Sequence, residues 1–260
     1  MSVFTDGQAY ERLMGQWSRA AGEVFLDWLS LPKGLNWLDV GCGTGAFTEL
    51  VIGRCAPSNI TAVDPAEDQI AYARNRPVTK QATFRAGDAQ SLPFVDREFD
   101  VAAMALVISF VPDAAKAVAE MKRVVRPQGT VAAYMWDILG GGFIQRPLVE
   151  ALGAMGIDVP PATGRRNSSI EEMRSLFEGA GLNQVATRTI EIEVSYPNFD
   201  DYWSAQTGLA NPVVQPIRKM SEPDVARLQT YLRERLPIDR GGRIAYPARA
   251  NAVKGRREPD

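Results

Sequence analysis

The sequence predicts an α/β protein built on a mostly parallel, doubly wound sheet with helices on both faces. Three observations predict it. Strand-like and helix-like stretches alternate between residues 35 and 136, which is the pattern of repeated βαβ units. The strand-like stretches are apolar nearly throughout, as strands covered on both faces must be. The first of them runs into a glycine-rich turn that opens a helix, "LDVGCGTGAFTEL" from Leu38 to Leu50.

The elements follow in order. Residues 7–30 are expected to be helical, because Leu13, Met14, Trp17, Ala21, Val24, Phe25 and Leu29 recur at helical spacing. "LPKG" interrupts the chain and "LNWLDV" is the first strand. A helix over 46–55, the strand "ITAVD" and a helix over 67–75 come next. "ATFRAG" and "FDVAAMALV" are strands, 113–125 is a helix capped by Asp113, and "GTVAAYM" is a strand after the turn signal "RPQGT". The alternation then lapses into "GGG", "PP" and "TGRRNSS" over 138–168, which reads as an irregular insertion contributing to a lid. A helix over 169–179 begins at a Ser168 or Ser169 cap. "NQVATRTIEIEV" alternates as a strand, and 199–236 is mainly helical, broken at Pro212 and Pro216. "GRIAYPARANAVKGR" is a closing strand, with Pro247 favouring a bulge or an edge position. The expected organisation is one domain over 1–260. It comprises a helical cap at 1–30, a ligand-binding core at 34–137, the insertion at 138–168 and a C-terminal part, 169–260, with a helical insertion at about 199–236.

Composition narrows the chemistry. The 260 residues are 45% hydrophobic and 23% charged, with a formal net charge of −2. That balance is ordinary for a globular domain and offers no global field to attract nucleic acid or an anionic membrane. The basic stretch Arg240–Arg257 reads as a solvated edge. Two cysteines, Cys42 and Cys55, make no disulfide framework or zinc spacing. The opening "MSVFTDGQAY" lacks a basic start leading into an apolar run, and no apolar run approaches the ~18 residues of a membrane span. The expected location is the cytoplasm, as a monomer or homodimer. There is no histidine, which excludes a Ser-His-Asp triad, a Cys-His pair and a histidine-ligated metal.

The glycine turn holds a ligand, and the question is which. Gly41, Gly43 and Ala46 satisfy the dinucleotide pattern, and ligands of open α/β sheets sit beyond the carboxyl ends of the strands. Asp64 ends the second strand and suits ribose hydroxyls of any adenosine ligand. Asp39, two residues before Gly41, discriminates: a carboxylate there repels a pyrophosphate and suits a cationic or amine-bearing ligand. "AGDAQSLPF" follows the third strand, where Asp88 could accept from an adenine amino group and the N–H of Ala89 meet a ring nitrogen. Adenosine with a positive tail and no phosphates describes S-adenosylmethionine.

"LDVGCGTG", "VDPAEDQIAYAR", "GDAQSLPF" and "FDVAAMALVISFVPD" together resemble the class I S-adenosylmethionine-dependent methyltransferases. Within them the sequence is most similar to the type 11, small-molecule group that includes ubiquinone/menaquinone C-methyltransferases. The resemblance covers about residues 34–137, with weaker support from "YERLMGQWSR". It implies a Rossmann-like sheet of seven strands with the last antiparallel, a role the strand at 243–256 fits. It places the turn of Gly41, Cys42, Gly43, Thr44 and Gly45 against the methionine part, with Asp39 orienting its ammonium. Asp64 would hold the ribose hydroxyls with Pro65 or Ala66 against the adenine. Asp88, Ala89 and Gln90 would read the adenine edge, and the backbone of Met104, Ala105 and Leu106 would lie near the amino group. Tyr10 and Trp17 either help cover the cofactor or are core. Cys42 is a small turn residue rather than a nucleophile.

A sulfonium methyl is already activated, so transfer is an in-line displacement and the protein supplies positioning and exclusion of water. The product would be S-adenosylhomocysteine and the acceptor a small organic metabolite, with no metal. If a general base exists, Asp137, just beyond the fifth strand, is the candidate; a loop-capping role is the alternative. Trp136, Phe143, Tyr202 and Trp203 are either pocket walls or core. Two other functions stay open, an NAD(P)-dependent oxidoreductase and a catalytically idle S-adenosylmethionine-binding protein. A nucleic-acid methyltransferase is disfavoured. Asn211–Pro212 runs into two valines rather than an aromatic end, there is no Pro-Cys dipeptide, and basic charge is low.

Overall fold

The computed structural model describes residues 15–161, 164–208 and 211–259. In chain order the elements are α1 (Gln16–Leu29), β1 (Asn36–Val40), α2 (Ala46–Cys55), β2 (Asn59–Asp64), α3 (Glu67–Arg74), β3 (Thr83–Ala86) and β4 (Phe99–Ala105). They continue as α4 (Ala114–Val124), β5 (Val125–Trp136), α5 (Arg146–Ala154), α6 (Ile170–Gly179), β6 (Asn183–Tyr196), α7 (Phe199–Thr207), α8 (Glu222–Arg235) and β7 (Ile244–Arg256). The seven strands form one sheet in the order β3-β2-β1-β4-β5-β7-β6. Pairing from β3 across to β5 is parallel, and β7 runs antiparallel to both β5 and β6. This is the expected architecture, including the reversed last strand.

The order reverses between β1 and β4, the two strands that begin the outward-going halves. A crevice opens at such a switch point, beyond the carboxyl ends of the strands. The register brings the ends of β1 and β2 level, with Val40 opposite Val63, and Asp39 pairs with Ala103 of β4. The segments that leave these three strands therefore meet at one edge.

The central strands are apolar because both faces are covered; Leu38, Val40, Ala102, Ala103 and Met104 are all buried. Helix α1 buries Trp17, Ala21, Phe25 and Leu29 on one stripe. The Phe25 ring packs 4.6 Å from Tyr134 of β5 and 6.0 Å from Phe47 of α2. Gly22 permits this approach: a Cβ there would stand 2.7 Å from Leu50 and 3.1 Å from the Tyr134 hydroxyl. The predicted caps hold at Asp113, whose carboxylate accepts from the Lys116 N–H, and at Ser169, whose hydroxyl accepts from Glu172.

Two expectations need correction. The segment 138–168 is not wholly irregular; it contains α5, which buries Leu148, Ala151 and Leu152. The flanking glycines and prolines hid a helix of nine residues, although Pro147 in its first turn is a favourable start. The basic stretch near the C-terminus is not simply a solvated edge. The Arg257 guanidinium donates to the carbonyls of Lys122, Arg123 and Val125. The Lys254 ammonium donates to the Trp28 carbonyl and lies over its ring. Arg249 and Arg243 pair with Asp137 and Glu193. Of the two positions expected for Pro247 the structure shows the edge: it pairs with Glu193, without a bulge, on the stretch of β7 that precedes its pairing with β5 at Ala250. At Pro247 itself β7 has one neighbouring strand, which is why a residue without an N–H is tolerated.

Candidate functional site

The glycine turn is held from below. The N–H groups of Gly41 and Cys42 both donate to the Val63 carbonyl at 2.8 and 2.9 Å, and Gly45 N–H closes onto the Cys42 carbonyl at 2.8 Å. Gly41, Gly43 and Gly45 all have positive φ (78°, 50° and 80°), the region that costs a side-chain-bearing residue. Two are also packed: a Cβ at Gly41 would stand 2.7 Å from both Val107 methyls, and one at Gly45 would stand 3.0 Å from Ala73. A Cβ at Gly43 would meet open space. The protein fills the space beside the outer glycines and leaves the space above the middle one free.

Two carboxylates flank this turn. Asp64 binds it directly, accepting from Gly43 N–H at 2.9 Å through one oxygen and from Ala66 N–H at 2.9 Å through the other. Burial raises its pKa, and the two N–H groups oppose the rise. Asp39 is 1% exposed. Its Oδ2 accepts from the Thr48 hydroxyl at 2.6 Å, while its Oδ1 is buried without a hydrogen-bond partner among the described residues. Burial pushes the Asp39 pKa up to about 7; the Thr48 hydrogen bond works against this and the Asp64 charge adds to it. Among the described residues neither carboxylate is paired with a cation.

Thr48 was not singled out from sequence. The available signal was a hydroxyl on the first turn of α2, on a face otherwise formed by Phe47, Leu50 and Val51. Cys42 is buried among Ala62, Ile70, Ala73 and Phe84, and burial, reinforced by Asp39 and Asp64, holds its thiol well above the usual range. Thr44 is buried and Pro65 is exposed just beyond Asp64. Asp88 is exposed and closes its own turn. It accepts from the Gln90 backbone N–H at 2.8 Å and from the Gln90 amide at 3.1 Å, which lowers its pKa. The Gln90 side chain in turn accepts from Asp113 N–H at 3.2 Å, and Ala89 packs half-buried on the core.

After β4, Met104 is buried and Ala105 half-buried. Leu106 adopts φ of +61° while its N–H donates to the Tyr134 carbonyl at 2.8 Å. A leucine in this region is strained, and such strain clusters at ligand sites. The strained turn brings Val107 onto Gly41. Trp17 packs edge-on against Tyr196 at 6.0 Å. Tyr10 lies outside the described residues.

Asp137 is 8% exposed and occupied. One oxygen accepts from Gly140 N–H and the other pairs with Arg249, both at 2.9 Å. The backbones interlock: Asp137 N–H donates to the Arg249 carbonyl, Gly142 N–H to the Asp137 carbonyl and Arg249 N–H to the Gly142 carbonyl. This is the geometry of a loop cap. Trp136 and Tyr202 are buried. Trp203 is half-buried and stacks on Phe199, and Phe143 lines a groove of about 290 Å³ between α5 and α8.

Residues 38–133, which carry the turn, Asp39, Asp64 and the β4 edge, match the model of the methyltransferase domain family. Over that segment the chain is similar to a methyltransferase domain. It is 33% identical over 131 residues to malonyl-[acyl-carrier protein] O-methyltransferase of Pectobacterium atrosepticum, covering 48% of this chain and 50% of that one. It is 33% identical over 128 residues to the ubiquinone/menaquinone biosynthesis C-methyltransferase of Roseobacter denitrificans, covering 48% and 51%. The chain thus spans about half the length of these curated relatives. The YcgJ protein from Bacillus subtilis has the same fold, with a TM-score of 0.59 at 18% identity over 92% of this chain and 99% of that one. Nothing in these matches supports a nicotinamide oxidoreductase. No helix of the described residues is long and apolar enough to cross a membrane.

Proposed function

We propose that this chain binds S-adenosylmethionine at the methyltransferase domain and transfers its methyl group to a small organic acceptor. The observation that carries this reading is the Asp39 carboxylate: buried, with one oxygen lacking a partner among the described residues, beside a glycine turn. An unpaired buried carboxylate is costly unless a ligand completes it. With Asp64 nearby and, among the described residues, no cation pairing either acid, a pyrophosphate would be repelled and an ammonium attracted.

The residues fit the cofactor. When bound, S-adenosylmethionine supplies a methyl on a sulfonium that needs no further activation. Asp39 orients the ammonium, the open space at Gly43 admits the methionine part, and Asp64 offers its remaining lone pairs to the ribose hydroxyls. Pro65 and Ala66 border the adenine, and Asp88, Ala89 and Gln90 meet its edge. The backbone of Met104, Ala105 and Leu106 and the turn residues Cys42 and Thr44 complete the cradle. Both Asp137 oxygens are engaged in capping the loop after β5, and this reading assigns Asp137 no proton transfer. Methyltransferase names among the relatives, one an O-methyltransferase and one a C-methyltransferase, support the reaction type and leave the attacking atom open.

The test is calorimetric titration with S-adenosylhomocysteine, with NADH in parallel. Micromolar binding of the former alone, weakened at least tenfold in Asp64→Ala, is the expected result. Binding of NADH instead would overturn the reading.

A further inference from the structure

A second polar centre lies at the same end of the sheet as the glycine turn, on β6, β7 and α7. Side chains alternate across a strand, and the register sets which ones share a face. Tyr134 and Trp136 of β5 stand opposite Ala252 and Ala250 of β7. Tyr246 lies on that same face of β7, and Tyr196 on that face of β6, opposite Ile244. This is the face that α1 covers, since the Tyr134 hydroxyl donates to the Ser18 carbonyl and Trp17 meets Tyr196. It is also the carboxyl end of β5 and β6, level with the proposed cofactor site.

Helix α7 lays Tyr202 and Gln206, one turn apart, over this face. Both are 0% exposed. The Gln206 amide nitrogen donates to the Tyr196 hydroxyl at 2.8 Å and lies 3.5 Å from that of Tyr246. The Tyr246 hydroxyl donates onward to the Ile144 carbonyl at 2.9 Å. Two atoms are left over. The Tyr202 hydroxyl and Gln206 Oε1 are buried with no hydrogen-bond partner among the described residues. Such an atom is costly to bury unless something completes it. One orphan donor and one orphan acceptor within a single helical turn suit a common guest.

The chemistry of the cluster restricts that guest. Its polar members, Tyr196, Tyr202, Tyr246 and Gln206, carry no charge. Burial raises the pKa of all three tyrosines, so their hydroxyls stay protonated. A charged group brought here would lose its hydration with nothing opposing its charge. A carbonyl or ether oxygen accepts from Tyr202 but gives Gln206 nothing. A neutral hydroxyl does both, accepting from the Tyr202 O–H and donating to Gln206 Oε1. The surroundings, Tyr196 edge-on to Tyr202 at 5.3 Å and Phe199 at 5.8 Å, suit a flat apolar body.

We infer that Tyr202 and Gln206 anchor a neutral hydroxyl of the methyl acceptor, which places the acceptor among uncharged hydroxylated aromatic compounds. The inference rests on the methyltransferase reading and deepens it. Neither group is basic enough to remove the hydroxyl proton, so both are positioning residues that set specificity.

The experiment uses the full chain saturated with S-adenosylhomocysteine, after that binding has been measured. 4-Ethylphenol, 4-ethylanisole and 4-ethylbenzoate are titrated in turn, followed by NMR chemical shifts of the protein. The phenol is expected to bind at least tenfold more tightly than the anisole, which cannot donate, and than the charged benzoate. Tyr202→Phe and Gln206→Leu should each weaken the phenol about tenfold and leave the anisole and S-adenosylhomocysteine unchanged. Tyr202→Phe removes only an unpartnered hydroxyl, so it keeps the fold even if Gln206→Leu does not. Equal binding of phenol and anisole, phenol binding unmoved in Tyr202→Phe, or no binding of any probe would overturn the assignment. Failure of S-adenosylhomocysteine to bind at the outset would instead overturn the cofactor reading.

Discussion

The Thr48 hydroxyl donates to one oxygen of Asp39 at 2.6 Å, and the other oxygen of that carboxylate stays buried without a partner among the described residues. Half of the carboxylate is completed by the fold and half is left for a ligand. The consequence is a titratable group with a folded pKa of about 7 against about 4 in the unfolded chain.

Stability and binding should therefore respond to pH in opposite directions. A raised acid pKa favours the folded state where the group is protonated. Asp39 thus contributes stability that is fully present below about pH 4 and is lost as pH rises through about 7. Asp39→Asn removes this dependence. Its melting temperature should gain on that of the native protein between pH 5 and pH 8, measured by calorimetric melting without ligand. Binding of S-adenosylhomocysteine needs the ionised form, so native affinity should rise up to tenfold per pH unit below 7 and level off above it. Asp39→Asn should bind at least tenfold more weakly at pH 8, with a flat profile.

The middle glycine of the turn offers a test of where the ligand lies. Gly41 and Gly43 both have positive φ, yet only Gly41 is pressed by a neighbour, Val107. Gly43→Ala should cost about 1–2 kcal/mol for its backbone alone. Its added methyl points into open space, so a disproportionate loss of S-adenosylhomocysteine affinity, tenfold or more, would place the ligand there. Gly41→Ala should lose more stability than Gly43→Ala in urea unfolding, because it adds the Val107 contact to the same backbone penalty.

The C-terminal arginine is a structural clamp. A single Arg257 nitrogen lies 3.1, 2.9 and 2.9 Å from the carbonyls of Lys122, Arg123 and Val125, at the junction of α4 and β5. Hydrogen bonds to a charged donor contribute about 1.5–3 kcal/mol. Arg257→Ala should lower stability by about 2–3 kcal/mol in urea titration and leave S-adenosylhomocysteine affinity within twofold. Arg257→Lys should recover part of the loss.

The sheet was legible because its signals are local and repeated. Apolar strands such as "WLDV" and "VAAMA" are covered on both faces, and Asp113 and Ser169 cap helices where their types suggest. The turn and its two acids were legible because two carboxylates stand in the last two residues of their strands and three glycines follow the first strand, where few residue types serve. What could not be read were relationships between distant positions. Nothing in the neighbourhood of Asp39 announces that Thr48, a full turn and helix start away, will bind it. The apparent solvent face of Arg249, Lys254 and Arg257 became structure because β7 runs back between β5 and β6, against strand ends far away in sequence. Helix α5 was hidden because its flanking glycines and prolines outweigh a short apolar stripe.

Asp137 shows how one position can separate a cap from a catalyst. Its carboxylate accepts from Gly140 N–H and pairs with Arg249, and a Cβ at Gly140 would collide with the Asp137 carboxylate, so the loop is built around this side chain. Asp137→Ala would leave the Gly140 N–H unpaired and the Arg249 charge uncompensated, costing about 1–3 kcal/mol. Asp137→Asn keeps one acceptor oxygen and should cost less than half of that. A cap therefore predicts graded stability, native above Asn above Ala in urea unfolding, with S-adenosylhomocysteine affinity within threefold throughout. A general base predicts the reverse: both variants would unfold at the native urea concentration, and once an acceptor is in hand both would lose about 10²–10⁴-fold in turnover. The two Asp137 oxygens are already engaged within the fold, and the graded loss of stability is the expected outcome.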